Sequence, residues 1–375
     1  MARVLVFVMD SAGVGALPDA AAYGDAPKAN TIGNVAERVG GLHLPHFERL
    51  GLGRITSIRG VDAVERPLAS VGRLRERSKG KDTITGHWEM AGIVTDIPFP
   101  TYPTGFPPDV IEAFTAICGR PPLGNIPASG TEIIAELGEE HQKSGRPIVY
   151  TSADSVFQVA AHEATVPLPT LYDWCERARA MLVPPHAVNR VIARPFVGTP
   201  GNYTRTPNRR DYALPPPPSS LDRLAEASVP VHAVGKICDI YCGHGITSSV
   251  RVVDNADAVT KALDIADATD HGFIFVNLND FDSKFGHRRD VRGYADALER
   301  LDFMVPAILE RIRPGDGLFF TADHGCDPTA PGTDHTREFV PFIEYGSASG
   351  GNVGIVDGLT HIGERVASIF ANVPA

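Results

Sequence analysis

Apolar residues in this chain gather in unbroken runs that stop at acids. Near the start, Val4-Leu5-Val6-Phe7-Val8-Met9 ends in Asp10-Ser11-Ala12-Gly13-Val14-Gly15. Further on, Gly272-Phe273-Ile274-Phe275-Val276-Asn277-Leu278 runs into Asp280, Asp282 and His287. A third run, Gly317-Leu318-Phe319-Phe320-Thr321, stops at Ala322-Asp323-His324-Gly325-Cys326-Asp327-Pro328, followed by Gly332-Thr333-Asp334-His335-Thr336-Arg337-Glu338. Continuous apolar runs of this length predict strands of a parallel sheet covered on both faces. The carboxyl ends of such strands form one rim, and open α/β sheets bind ligands there. Three distant segments are therefore expected to deliver acids and imidazoles to one place.

Between the runs the pattern changes period. From about Tyr294 to Arg311, Leu298, Leu301, Val305, Ile308 and Leu309 recur at the spacing of one buried helix face, which predicts core packing and nothing else. A last helix, near Ile362 to Phe370, reads the same way, and Asn30-Thr31-Ile32-Gly33-Asn34 can start one running through Ala36 and Val39. The glycine turn after Asp10 lacks the Walker lysine and the spacing of a dinucleotide fingerprint, so no phosphate loop is expected there. A polar block, Gly80-Lys81-Asp82-Thr83-Ile84-Thr85-Gly86-His87-Trp88-Glu89, is poor core material. It reads either as site material or as a solvated loop with a helix cap at Thr85.

The texture shifts again at Ile97-Pro98-Phe99-Pro100. Pro98, Pro100, Pro103, Pro107 and Pro108 mark a crossover, and a second proline run, Pro215 to Pro218, precedes the return of sheet pattern at Val229 to Val234. Proline runs between patterned segments act as semi-rigid hinges. The expectation is a core domain of residues 1–98 and 215–375 with a smaller domain, 99–214, inserted into it. Inside the insert, Ile148-Val149-Tyr150-Thr151 leads to Ser152, Ala153 and Asp154, Arg190-Val191-Ile192-Ala193-Arg194 is strand-like, and Asn202-Tyr203-Thr204-Arg205 follows a glycine turn. Each arginine alone is a solvated charge. Together they suit a small phosphorylated substrate, because a planar guanidinium grips phosphate oxygens two at a time.

Composition narrows the class. With 375 residues, 43% apolar and 21% charged, the chain has ample length for a large core plus an insert and is neither disordered nor membrane-like. A net charge of −10 argues against a nucleic-acid partner. No apolar run approaches the roughly 20 residues of a membrane span, and Met1-Ala2-Arg3 leads straight into the first strand, so neither membrane nor signal peptide is expected. Cys118, Cys175, Cys238, Cys242 and Cys326 are odd in number and scattered, which suits reduced thiols in a cytoplasm.

Counting ligands gives the chemistry. Asp10, Asp282, His287, Asp323, His324 and His335 make three carboxylates and three imidazoles from three segments. That exceeds what one four-coordinate ion takes, so two metals are the natural count, and the set suits Mn²⁺ or Zn²⁺ better than Mg²⁺ alone. Two such ions about 3.5–4 Å apart can clamp a phosphoryl group between nucleophile and leaving oxygen. A threonine hydroxyl, weak by itself, becomes a nucleophile when a base or metal lowers its pKa. The residues alone leave open a phosphotransferase, a metal-dependent phosphatase or phosphodiesterase, and a non-catalytic metal-binding scaffold.

Asp10-Ser11, Gly80-Lys81-Asp82-Thr83 with Gly86-His87-Trp88-Glu89, Asp280-Phe281-Asp282 with Gly286-His287-Arg288-Arg289, and Asp323-His324-Gly325 with Gly332 to Glu338 resemble the bacterial phosphopentomutases. That family belongs to the alkaline phosphatase superfamily and is related to cofactor-independent phosphoglycerate mutase. Tyr150-Thr151-Ser152-Ala153-Asp154-Ser155, Ala193-Arg194-Pro195-Phe196-Val197-Gly198 and Thr204 to Arg209 extend the likeness through the insert. The resemblance implies an α/β fold: an alkaline-phosphatase-like core with a mostly parallel central sheet flanked by helices, plus an α/β cap. It implies that Thr83 carries the phosphoryl group between two Mn²⁺ ions, one held by Asp10, Asp323 and His324, the other by Asp282, His287 and His335. It also implies that Ser152, Asp154, Arg190 and Arg205 hold a pentose phosphate, with Lys236 near the entrance. A sugar bisphosphate such as glucose 1,6-bisphosphate would prime the enzyme, and the chain would be a monomer. Cys326 stands where asparagine is common in the family, Asn279 where valine is common, and Ile84 at a variable place.

Overall fold

The computed structural model describes residues 2–152, 155–346 and 350–370. The chain forms two compact units, one of Met1–Ile97 with Pro216–Ala375, the other of Pro98–Pro215.

The first unit is built on an eight-stranded sheet. In spatial order its strands are Ser248–Val250, Val231–Val234, Gly272–Leu278, Arg3–Met9, Gly317–Thr321, Val340–Tyr345, Ser70–Arg75 and Gly351–Asp357. Arg3–Met9 lies at the centre, parallel to Gly272–Leu278 on one side and to Gly317–Thr321 on the other. Every residue of these three strands is buried, as their unbroken apolar runs require. Among the described residues only Val340–Tyr345 runs against its neighbours. Register fixes the rim: Met9 pairs with Leu278 and Val8 with Thr321, so the segments beginning at Asp10, Asn279 and Ala322 leave the sheet at the same edge.

A buried ion pair anchors the opposite end of the central strand. The Arg3 backbone N–H donates to Asp316 Oδ1 at 2.8 Å and its Nε to Asp316 Oδ2 at 3.0 Å, while its remaining guanidinium protons reach the carbonyls of Ala266 and Arg311. Helices flank the sheet. Val291–Leu309 buries Leu298, Leu301, Val305 and Ile308 along one stripe, and Thr31–Val39 starts at the Asn30 cap, whose side chain accepts from Gly33 N–H.

The second unit holds its own mixed sheet, ordered Leu123–Pro127, Ile148–Thr151, Val156–His162, Arg190–Thr199 and Asn202–Arg205, with Arg210–Ala213 also pairing with Arg190–Thr199. Alternate residues feed separate apolar clusters on its two faces. Val149, Phe157, Val159 and Val191 pack in one, Ile148, Tyr150, Ala160 and Phe196 in the other.

Candidate metal centre

Asp10 follows the central strand in a turn that Ser11 makes with a positive φ of 75°, its N–H donating to Asp323 Oδ1 at 3.0 Å. A non-glycine residue held there stores strain and suggests a functional turn. Asp282 sits in a wide π-type turn, Phe281–Gly286, which ends at His287. Asp323 and His324 continue the third strand, and His335 returns on the loop that follows. The loops are locked together by Glu338. Its carboxylate accepts from the Thr31 hydroxyl at 2.7 Å and backbone N–H at 2.9 Å, from the Thr336 hydroxyl at 2.6 Å and from Gly15 N–H at 3.2 Å. It passes so close to Gly325 that a Cβ there would stand 2.3 Å from Glu338 Oε1.

The six predicted donors converge. Asp10, Asp323 and His324 each bring a ligand atom within 4.8 Å of the others', as do Asp282, His324 and His335. His287 Nε2 lies 3.4 Å from Asp282 Oδ2 and 3.0 Å from His335 Nε2. Cys326 brings its thiol within 4.8 Å of Asp282 and His287 donors, but burial pushes that thiol well above its ordinary pKa and the Arg289 guanidinium faces it at 3.7 Å. Asp280 instead bonds the Asn255 backbone and pairs with Lys284.

These groups fit cations. Asp10 Oδ1 is a buried carboxylate oxygen with no hydrogen-bond donor, and Asp282 Oδ1, also buried, faces the His335 ring nitrogen at 3.3 Å. Asp323 Oδ2 has no donor either, because its neighbour His87 Nδ1, at 3.1 Å, bonds the Thr83 carbonyl. Unpaired buried acceptors are costly, and two ring nitrogens facing each other at 3.0 Å ask for a shared positive centre. The charges are divided accordingly. Burial raises the pKa of Asp10 well above the usual range, helped by the charge of Asp323, while Lys236 acts against the rise. Burial would raise Asp323 too, but the adjoining His324 and His87 rings, with the Ser11 N–H, hold it far below. Against the same burial, His335 holds Asp282 down at about 2. The donor set of carboxylates and imidazoles suits ions of the Mn²⁺ and Zn²⁺ kind.

Thr83 faces this group. It is the first residue of the helix Thr83–Met90, and its hydroxyl lies 3.2 Å from His324 Nε2. The helix cap is Asp82, not Thr85: Asp82 Oδ1 accepts from Ile84 N–H at 3.1 Å and Thr85 N–H at 3.2 Å. The block is not a solvated loop, since Ile84 through Met90 are all buried. Local propensity allowed either residue as cap. The carboxylate wins because a charged acceptor favours the helix N-terminus more than a hydroxyl does. Arg337, also buried, fixes the approach to the helix by donating to the carbonyls of Ser78 at 2.8 Å and Gly80 at 2.6 Å and pairing with Glu76.

Of the predicted substrate residues, Lys236 lies in this unit, where its charge reaches Asp10. Three of the others lie in the second unit. Ser152 follows the strand Ile148–Thr151, Arg190 opens its strand and lies 3.6 Å from Asp211, and Arg205 closes the strand Asn202–Arg205. Burial lowers the Arg194 pKa and the charges of Arg209 and Arg205 lower it further, so three guanidinium groups share one neighbourhood. Asp154 lies outside the described residues. Sequence reasoning gave no role to His87, Asn277, Arg337 or Glu338. The only signal was their membership of dense motifs or, for Asn277, an amide in an apolar run.

A parallel-sheet rim carrying two merged carboxylate and imidazole clusters defines a metal-dependent enzyme, and the sequence profile of the Metalloenzyme superfamily matches residues 2–372. Phosphopentomutase from Anaeromyxobacter sp. (strain K) is 56% identical over 371 residues, covering 98% of this chain and 95% of that protein. Phosphopentomutase from Kosmotoga olearia is 54% identical over 376 residues, covering 99% and 96%. The chain therefore belongs to the phosphopentomutase family, whose members are isomerases. The solved structure of the PH0037 protein from Pyrococcus horikoshii shares the fold, with a TM-score of 0.50 over 98% of this chain and 97% of that one at 15% identity.

Proposed function

We propose that this chain interconverts ribose 1-phosphate and ribose 5-phosphate, and the 2-deoxyribose phosphates, through phosphorylated Thr83 and a pentose 1,5-bisphosphate, in nucleoside and pentose phosphate catabolism in the cytoplasm. The observation that carries the reading is the Thr83 hydroxyl, 3.2 Å from His324 Nε2 at the edge of six converging donors. The name borne by relatives at 54–56% identity agrees with it.

In this reading Asp10, Asp323 and His324 hold one Mn²⁺, and Asp282, His287 and His335 the other. The ions supply positive charge that lowers the Thr83 hydroxyl pKa and neutralises the phosphoryl oxygens. The chain's own groups do the rest. The bond from phosphorus to Thr83 Oγ1 breaks as a bond to O1 of ribose 5-phosphate forms, and the O1 proton passes, in net, to Thr83. In the second half Thr83 Oγ1 takes the 5-phosphoryl group of the bisphosphate and O5 gains the proton, leaving ribose 1-phosphate. Asp82, capping the helix, and Arg337, holding Ser78 and Gly80, keep Thr83 oriented. Ser152, Asp154, Arg190 and Arg205 are assigned the sugar and its distal phosphate, and Lys236 the entrance. Glucose 1,6-bisphosphate primes Thr83, and the chain acts as a monomer.

The test is a coupled assay of ribose 1-phosphate conversion with Mn²⁺ and catalytic glucose 1,6-bisphosphate, comparing wild type with Thr83→Ala. Loss of the nucleophile should lower turnover by at least about a thousandfold. Free phosphate as the main wild-type product would overturn the mutase reading in favour of hydrolysis.

A further inference from the structure

The helix that presents Thr83 buries an imidazole one turn later. His87 is fully buried, and its ring touches the Asp323 carboxylate on one side and, on the other, the Asn277 amide that bonds Asp10. Its Nδ1 lies 2.9 Å from the Thr83 carbonyl oxygen and 3.1 Å from Asp323 Oδ2. On the other side Nε2 lies 3.3 Å from Asn277 Nδ2, and that same amide nitrogen donates to Asp10 Oδ2 at 2.8 Å.

The donors and acceptors allow one arrangement. As a cation ligand Asp10 is ionised and only accepts, so the Asn277 atom on it is the amide nitrogen, and its second proton is free for His87 Nε2. Nε2 must then be the accepting nitrogen, and the ring proton sits on Nδ1, where the Thr83 carbonyl takes it beside Asp323. A single chain of contacts thus runs from Asp10 through Asn277 and His87 to Asp323 and to the backbone of the nucleophile. A phenylalanine would fill this space among apolar neighbours such as Phe275, whose ring centroid lies 6.0 Å away, without the cost of a buried polar ring.

We infer that His87 and Asn277 are a positioning pair: they hold Asp10 and Asp323 in ligand geometry for one divalent cation and lock the Thr83 turn to that same site. The inference rests on the cation-dependent reading above, with which the two donor groups gain distinct supports. Asp10 and Asp323 are oriented by this pair, whereas Asp282 contacts His287 and His335, which are themselves proposed ligands.

The experiment is a Mn²⁺ titration of the cation-free full chain by calorimetry, in wild type, His87→Phe, His87→Asn and Asn277→Leu, with Asp10→Asn and Asp282→Asn identifying the two binding events. Groups that orient metal ligands typically contribute about 10- to 100-fold in affinity. His87→Phe and Asn277→Leu should weaken by that factor the event lost in Asp10→Asn. The event lost in Asp282→Asn should stay within about threefold, since it lacks this support. His87→Asn restores a donor near the place of Nδ1 and should lose less than His87→Phe. Unchanged affinities, or equal weakening of both events, would overturn the inference. So would failure of both His87→Phe and Asn277→Leu to fold, which would make the pair a packing requirement; if only one folds, the folded one decides. The readout is cation binding, so a wild type that binds cations normally but lacks mutase turnover would sink the proposed function and leave this inference standing.

Discussion

The protonation of His335 sets how the site takes up a cation. Burial works to strip the ring of its proton, but the hydrogen bond and charge of Asp282 overcome it and push the ring up to about 9. At pH 7 that proton is present until a cation displaces it. His324 differs, because burial lowers its pKa and outweighs the charge of Asp323. Cation binding at pH 7 should therefore release at least about one proton, and Mn²⁺ affinity should fall with each step of acidification below pH 9. Calorimetry in two buffers of different ionisation heat measures the proton count directly. No release at pH 7 would mean that His335 is neutral before the ion arrives.

The helix Thr83–Met90 is seated by contact with the opposite loop. At Gly86 a Cβ would lie 2.3 Å from the Asp323 carbonyl oxygen and 2.8 Å from its carbon, and backbone cannot swing aside as a side chain can. Its far end is tied by Glu89, whose buried carboxylate accepts from the N–H groups of Arg77, Ser78 and Leu359 at 2.6–3.1 Å. Gly86→Ala should push helix and Asp323 loop apart, destabilise the chain by about 1–3 kcal/mol and lower turnover at least about tenfold. Melting temperature and the coupled assay together decide it. A variant matching wild type in both would show that the helix is free to shift. The block could not be read from its own residues for the same reason: its polarity suits a loop, and only tertiary packing, against the Asp323 loop, Tyr241, Phe275 and the segment at Leu359, makes it a buried helix.

For the molecule as a whole, stability depends on pH through buried pairs such as Arg3 with Asp316. Burial opposes ionisation of Asp316, yet the bonds from Arg3 and from Arg313 N–H carry its pKa below the usual 3.8. A carboxyl depressed on folding adds stability above its unfolded pKa, and that stability is lost as pH falls through the folded value. Removing one partner of a buried pair costs about 3 kcal/mol or more, so Asp316→Asn should lose that at pH 7 and less toward pH 3. Urea unfolding at both values tests the sign; a gap that widened in acid would contradict it. Among the described residues no helix is long and apolar enough to cross a membrane, and all five cysteines carry free thiols.

What the sequence determined by itself was whatever a few neighbouring residues decide. The runs Val4–Met9, Gly272–Leu278 and Gly317–Thr321 are apolar at every face, which only a buried strand tolerates, and acids placed directly after them lie on a shared rim once the strands are parallel. That made the α/β core and the six donors legible, whereas Thr83 stood out only through the resemblance of its motif to the phosphopentomutases. Tertiary structure alone decided which groups touch. The register of Met9 with Leu278, the link from Asp10 through Asn277 to His87, and the grip of Arg337 on Ser78 and Gly80 join segments about 200 or more residues apart. Such contacts arise from close packing in three dimensions, and no local pattern of polar and apolar residues encodes them.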